Sequence, residues 1–365
     1  MRERSDSPER AWLVHAQRKR RPVPGVPHPP DLLAELSSLV EAAGGVVAGA
    51  RTQVVVSENP ATLIGSGTVE ELKETVREHD VDLVVFQNLL RPKQQANLEE
   101  RLEVKVLDRR EVILDIFARR ARTREGKLQV ELAQLSFRIG RLIGGRRELS
   151  RLGGGIGTRG PGEKKLEEDR RRIRNQIRQI EGELVTVRRT RALHYRRRKE
   201  VGFPVVALVG YTNTGKSTLF NRLTGADAFV ADQLFATLDP TARRFQLPAG
   251  RGAILVDTVG FIHELPDELR NAFLATLEGI GEADLIVHVA DGSTERMEEN
   301  IGSVETILGK LGYGDWPTLL AVNKADLCRA GGPCPAGGIR VSARTGLGTD
   351  RLLEEMEREL CLQSA

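Results

Sequence analysis

One stretch, Gly210-Tyr-Thr-Asn-Thr-Gly215-Lys216-Ser217-Thr218, constrains this chain more than any other. Two glycines bracket four residues, a lysine and a hydroxyl residue follow, and the apolar run Val205 to Val209 stands directly before. That order predicts a strand, a tight loop and the first turn of a helix, where backbone N–H groups and the helix N-terminus converge on an anion. Gly210, Tyr211, Thr212, Asn213, Thr214, Gly215, Lys216, Ser217 and Thr218 are therefore candidate phosphate-binding residues. Lys216 would neutralise the β/γ charge and Ser217 would ligate Mg²⁺.

A phosphate loop does not choose a base. Asn323-Lys324-Ala325-Asp326, directly after the apolar run Thr318 to Val322, does. The Asp326 carboxylate can accept two hydrogen bonds from N1–H and the exocyclic amine of guanine, whereas adenine would leave it unpaired, a penalty of about 1–3 kcal/mol. GTP is thus expected over ATP. Ser342-Ala343-Arg344, after the run Ile339 to Val341, can offer backbone N–H groups to the guanine oxygen. Asp257-Thr258-Val259-Gly260 ends the run Ala253 to Val256. There Asp257 is expected to hold Mg²⁺ through water and the Gly260 N–H to sense the γ-phosphate. Phe235-Ala236-Thr237-Leu238-Asp239 lies between loop and strand, where Thr237 would close over the same ion. Lys216, Thr237 and Gly260 are the candidate catalytic set.

The surrounding pattern predicts an α/β chain. From residue 31 to 122, short apolar runs (Thr52 to Val56, Val81 to Phe86, Val104 to Leu107) alternate with helical ones (Val69 to Glu78, Gln94 to Leu102), implying βαβ units and a small parallel sheet. From 123 to 200, Leu128, Leu132, Leu135, Ile139 and Leu142 recur at steps of four and three, as do Leu166, Ile173, Ile177, Ile180, Leu184 and Val187 after one step of seven. These are the seams of an antiparallel helical hairpin, tipped by the Gly-rich segment 144–162. The tip carries Arg146, Arg147, Arg151, Arg159, Lys164 and Lys165, and the second helix is densely Arg-rich. A one-sided basic run beside flexible Gly backbone favours RNA over a merely solvated face. From 201 to 365 a doubly wound domain surrounds the phosphate loop. Residues 1–30, rich in Arg and Pro, are expected to form a flexible basic arm without a fold.

The remaining composition excludes other classes. Three cysteines without a CxxC pair suggest neither a disulfide framework nor a zinc site and fit a reducing, cytoplasmic compartment. No apolar run is long enough to cross a membrane. The six histidines are scattered, so His-led catalysis is not expected.

Taken in order, these motifs resemble a translation-factor-class GTPase, specifically the HflX family of ribosome-associated GTPases. The resemblance extends to Ile64-Gly-Ser-Gly-Thr-Val-Glu-Glu-Leu72, Asp108-Arg-Arg-Glu-Val-Ile-Leu-Asp-Ile-Phe-Ala118 and Thr123-Arg-Glu-Gly-Lys-Leu-Gln-Val-Glu-Leu-Ala133. It continues through Gly157-Thr-Arg-Gly-Pro-Gly-Glu163, Gly260-Phe-Ile-His-Glu-Leu-Pro266 and Ala272-Phe-Leu-Ala-Thr-Leu-Glu278. The Arg/Pro arm departs from that pattern. The resemblance implies GTP hydrolysis coupled to the large ribosomal subunit and its RNA, including separation of stalled or idle ribosomes. A ribosome-assembly GTPase, or an RNA-binding module merely regulated by nucleotide, are the rival readings. Neither DNA nor a membrane is an expected partner, and a monomer is expected. Phe261 stands where many small GTPases carry a water-positioning Gln, so hydrolysis is expected to be slow without ribosomes. Asn213 resembles the position at which related GTPases recruit K⁺.

Overall fold

The computed structural model describes residues 7–19, 32–144, 161–200, 202–226, 234–235, 237, 240–262, 280–281, 283–328 and 334–362. The chain divides into two compact units, Met1–Arg119 with Glu131–Ile180, and Arg120–Val130 with Glu181–Ala365.

The first unit contains β1 (Arg10–Arg18), α1 (Leu32–Ala42), β2 (Val46–Val55), α2 (Ser66–Glu78), β3 (Leu83–Phe86), α3 (Pro92–Leu102), β4 (Lys105–Asp108) and α4 (Arg109–Arg120, whose last residue belongs to the other unit). Its sheet runs β2-β1-β3-β4 with every pair parallel. Residues 10–18 therefore correct the expectation that 1–30 forms an unfolded arm: they are an interior strand, with Ala11, Leu13, Val14 and Ala16 buried. A strand covered on both faces reads as a short apolar run rather than an alternation. Here that run, Ala11 to Val14, is obscured by the arginines on either side. Helices α2 and α3 bury Val69, Leu72 and Leu98 in one cluster with Val14, Val84, Phe86 and Val106 of the sheet. The Asp108-Arg-Arg-Glu111 motif has a structural use. Asp108 Oδ1 accepts from Arg110 N at 2.9 Å to start α4, and Glu111 pairs with Arg141 at 2.8 and 3.1 Å.

Arg141 lies on α5 (Arg124–Gly144), which is followed by α6 (Pro161–Glu200). Arg170 of α6 donates to the Leu142 carbonyl at 2.9 Å, and Arg124 pairs with Glu183 at 3.0 Å, so the two helices run antiparallel. On α6 the stripe follows the expected steps, with Ile173, Ile180 and Leu184 buried and Ile177 and Val187 half-buried. On α5 the expected stripe is buried only at Leu135, with Leu128, Leu132, Ile139 and Leu142 half-buried, while Gln129, Val130 and Ala133 are buried on another side of the helix. The helix is thus covered on two sides rather than along one coiled-coil seam.

The second unit holds β5 (Val205–Val209), α7 (Lys216–Thr224), β6 (Thr241–Gln246), β7 (Gly252–Asp257), β8 (Leu285–Asp291), α8 (Met297–Lys310), β9 (Thr318–Asn323), β10 (Ile339–Arg340) and α9 (Thr349–Leu362). The sheet order is β10-β9-β8-β5-β7-β6, parallel except for β6 on β7. Helices α7 and α9 cover one face through Leu219, Phe220, Leu352 and Met356, while α8 places Met297 and Ile301 on Ala290 and Val322. Strands 7 and 8 flank β5 on opposite sides, so the carboxyl end of β5 is a topological switch point, where doubly wound sheets open a crevice. The edge strand β6 is not evident from the sequence, because Thr241 to Gln246 buries only Phe245. No helix among the described residues is long and apolar enough to cross a membrane.

Candidate functional site

The crevice holds a cavity of about 280 Å³ beyond the end of β5. Gly215 opens α7 at φ 87, a conformation that disfavours a side chain, and a Cβ there would strike the Asn323 amide. The loop thus turns tightly enough to aim its N–H groups inward. Thr212, Asn213, Gly215, Lys216, Ser217 and Thr218 line the cavity on this side. Lys216 Nζ is buried and donates to the carbonyls of Gly210 at 3.1 Å and Tyr211 at 2.7 Å. Burial pushes its ammonium down to about 8, against the opposing pull of Asp257.

Three oxygens meet beside it. Ser217 Oγ and Thr237 Oγ1 lie 2.8 Å apart and donate to Asp257 Oδ2 at 2.7 and 3.0 Å. Burial raises the Asp257 pKa above the ordinary carboxylate range, the two hydroxyls and Lys216 pulling back. The other oxygen, Oδ1, is buried without a partner among the described residues. A hard dication suits this donor set of two hydroxyls and a carboxylate with an unspent oxygen, so the residues fit Mg²⁺.

The 257–261 segment is stitched to the phosphate loop. Thr212 N donates to Phe261 O at 2.7 Å and Phe261 N to Gly210 O at 3.0 Å, while Tyr211 and Phe261 form a parallel bridge. The Phe261 ring is buried. Thr258 Oγ1 donates to Leu208 O at 2.7 Å, and Thr258 and Gly260 reach the cavity.

At the opposite end stand Asn323, Lys324, Asp326, Ala343 and Arg344. Asn323 Nδ2 donates to Thr214 O at 2.8 Å, and its Oδ1 accepts from Ala343 N at 2.9 Å. Asp326 Oδ1 accepts from Ser342 Oγ at 2.6 Å, and that hydroxyl accepts from Thr345 N at 3.1 Å. Lys324, at φ 61, extends to Asp291 at 2.7 Å, and Ala325 N donates to Val341 O at 3.1 Å. Gly210, Tyr211, Thr214, Asp257 and Ser342 do not line the cavity but bond to residues that do, and Val259 and Ala325 are not among its lining residues. Phe235 and Thr237 line it; Ala236, Leu238 and Asp239 lie outside the described residues. So do Arg146, Arg147, Arg151 and Arg159, and of Lys164 and Lys165 only the helical backbone is described.

Four residues near the site escape sequence reading. Leu327 lines the cavity beside Asp326. Asp291 is a polar residue ending a buried strand at the same sheet edge, a signal that could have found it. Arg222 donates from Nε to Ala343 O at 3.1 Å and from Nη2 to Arg344 O, and one arginine on an Arg-rich chain gives no such hint. His288 is buried on β8, pushed down to about 4 by desolvation with Lys216 adding to the shift.

Phosphate loop, carboxylate with two hydroxyls and paired guanine motifs define a P-loop GTPase. Residues 31–118 match the family model of a GTP-binding GTPase N-terminal domain, 120–198 that of a GTP-binding GTPase middle region, and 205–324 that of a 50S ribosome-binding GTPase. The GTPase HflX of Caldanaerobacter subterraneus subsp. tengcongensis is 52% identical over 337 residues, spanning 92% of this chain and 78% of its own. The GTPase HflX of Escherichia coli K12 is 43% identical over 372 residues, covering 98% and 84%. The chain belongs to the HflX family of GTPases, and hydrolyses GTP. A GTP-binding protein of Sulfolobus solfataricus, solved with GDP, shares the fold over 97% of this chain and 99% of its own at TM-score 0.52 and 22% identity.

Proposed function

We propose that this GTPase acts on the large ribosomal subunit and uses its GTP-bound state to separate stalled or idle ribosomes into subunits. The observation that carries the reading is the meeting of Ser217, Thr237 and Asp257 at one carboxylate oxygen. A switch threonine that reaches the phosphate-loop serine couples nucleotide state to the positions of Thr237 and of residues 257–262, which a large partner can read. The 50S ribosome-binding description of the matched family and the one-sided basic character of α6 support the ribosome and its RNA as that partner.

In this reading Lys216 would balance the β/γ charge, the Gly260 N–H would face the γ-phosphate, and Ser217, Thr237 and Asp257 would hold Mg²⁺. That ion would supply charge neutralisation at the phosphates. Asp326 accepts from the guanine N1–H and amine, while backbone N–H groups of Ser342, Ala343 and Arg344 face its oxygen. Asn213, at φ 61 on the cavity wall, is the proposed neighbour of a K⁺ ion. The protein acts as a cytoplasmic monomer, and contact with ribosomal RNA runs through Arg146, Arg147, Arg151, Arg159, Lys164 and Lys165.

Sedimentation of intact ribosomes with the full chain tests this. GTP or a non-hydrolysable analogue should shift them into subunits and GDP should not. Binding without any shift would leave a nucleotide-regulated RNA-binding module, and action on immature particles alone would leave an assembly GTPase; either result overturns the splitting role.

A further inference from the structure

Thr212, third in the phosphate loop, carries a side-chain oxygen that nothing described so far uses. The residue is only 6% exposed, and its Oγ1 is buried without a hydrogen-bond partner among the described residues. Its neighbours behave differently. Thr214 Oγ1 donates to Tyr211 O at 3.1 Å, Thr258 Oγ1 to Leu208 O, and Ser217 and Thr237 share Asp257. A buried hydroxyl left unpaired is destabilising, and valine would fill the same space without that penalty. A threonine at such a position makes physical sense where a ligand completes its hydrogen bond.

Position says which part of the ligand. Thr212 lines the cavity. Its backbone N–H is bonded to Phe261 O, so the residue is held against the 257–261 segment. A Cβ built on Gly260 would stand 2.8 Å from Thr212 Cα, 2.9 Å from Thr212 Cγ2 and 3.0 Å from Lys216 Nζ. That point has the threonine methyl on one side and the lysine ammonium on the other, so a turn of the side chain to another staggered χ1 well exchanges methyl and hydroxyl and brings Oγ1 to it. The base motif, Asn323 to Asp326, belongs to a different strand end. The γ-phosphate is the part of GTP that lies between the phosphate-loop lysine and the glycine after Asp257.

Resting on that phosphate assignment, we propose that Thr212 Oγ1–H donates to a γ-phosphate oxygen and so lets the phosphate loop itself distinguish GTP from GDP. The acceptor is anionic, which makes the bond a charge-assisted one. Charge spread over the γ-oxygens during transfer keeps the donor engaged through the reaction. Gly260 has no side chain to intervene, and any larger residue there would meet Thr212 and Lys216 at once.

The test compares Thr212→Val, which keeps shape and loses the donor, with Thr212→Ser, which keeps the donor and loses the methyl. Affinities for GDP and for a non-hydrolysable GTP analogue are measured by calorimetry on the full chain, and single-turnover hydrolysis is followed in parallel. Thr212→Val should leave GDP affinity within about twofold while weakening the analogue and slowing hydrolysis by about tenfold each, ~1.4 kcal/mol. Thr212→Ser should stay within about threefold of the parent in all three. Three results would overturn the proposal: Thr212→Val indistinguishable from the parent, Thr212→Val losing GDP and analogue equally, or Thr212→Ser failing as Thr212→Val does. Failure of the parent chain to bind either nucleotide would instead overturn the phosphate assignment on which it rests.

Discussion

Asn323 ties the phosphate end of the site to the guanine end. Its amide donates to the Thr214 carbonyl at 2.8 Å and accepts from the Ala343 N–H at 2.9 Å, both bonds being buried. Asn323→Ala leaves a carbonyl and an N–H unsatisfied in the interior, about 1–3 kcal/mol each. Water entering the space left by the side chain offsets part of that, so the unit should lose about 2–4 kcal/mol of stability. Because the lost bonds also align two binding loops, GDP affinity should fall about tenfold or more. Asn323→Asp is the sharper probe. It keeps the shape and one acceptor for Ala343 N, but turns a second acceptor on the Thr214 carbonyl, and only the protonated acid can donate there. The carboxyl variant should therefore recover stability as pH is lowered, which Asn323→Ala should not. Urea unfolding across pH, with calorimetric GDP binding, decides it. If both variants unfold as the parent does, or if Asn323→Ala loses stability while GDP affinity stays unchanged, the two loops are not coupled through this side chain.

Asp326→Asn should weaken GTP binding by at least about tenfold and improve binding of xanthosine triphosphate, whose base offers a carbonyl where guanine has an amine; unchanged GTP affinity by calorimetry would refute the assignment. His288 is held neutral in the fold at pH values where the unfolded chain protonates, so the native state binds fewer protons between its depressed value of about 4 and the ordinary 6.5. Stability should thus fall as pH drops through that window, by about 2 kcal/mol between pH 7 and pH 5. Urea denaturation of His288→Gln should show that part of the slope removed. Replacing Arg146, Arg147, Arg151 and Arg159 by Ala should weaken ribosome pelleting and reduce its salt dependence while GTP binding is kept; equal pelleting at every salt concentration would assign these residues no contact with RNA.

Where burial and periodicity agree, the sequence foretells the fold well. Val205 to Val209 is an unbroken apolar run and Leu285 to Val289 one broken only by the buried His288, because each strand is covered on both faces, and both are strands in the structure. The α6 stripe is legible because Ile173, Ile180 and Leu184 are apolar islands in a charged helix. The failures have the opposite cause. Strand 1 carries its apolar core, Ala11 to Val14, inside a segment dominated by Arg and Pro, so average composition hides what position reveals. Strand 6 is the last in its sheet and buries one residue, leaving almost no hydrophobic signal to read.

The site divides along a different line. Residues whose backbone or charge the chemistry requires, such as Gly215, Lys216, Asp257 and Asp326, declare themselves by spacing, because a phosphate or a base fixes the geometry around it. Residues that hold those in place do not. Arg222 reaches the carbonyls of Ala343 and Arg344 from a helix more than a hundred residues earlier in sequence, a pairing that only the closed sheet creates. Thr212 falls between the two kinds. Its position in the motif is evident, yet its hydroxyl means nothing until Phe261 and Gly260 are seen to fold back on it and Thr214 is seen to spend its own hydroxyl elsewhere. The same reasoning applies to Asp257, whose Oδ2 gathers Ser217 and Thr237 while Oδ1 stays unspent. Both residues keep a buried polar atom in reserve at the phosphate end. At the guanine end, Asn323 and Ser342 have already spent theirs on the loops they align. The polar atoms around Asp326 are thus already bonded in the fold, whereas those left unspent among the described residues, Thr212 Oγ1 and Asp257 Oδ1, belong to the end that the proposed reading gives to the phosphates.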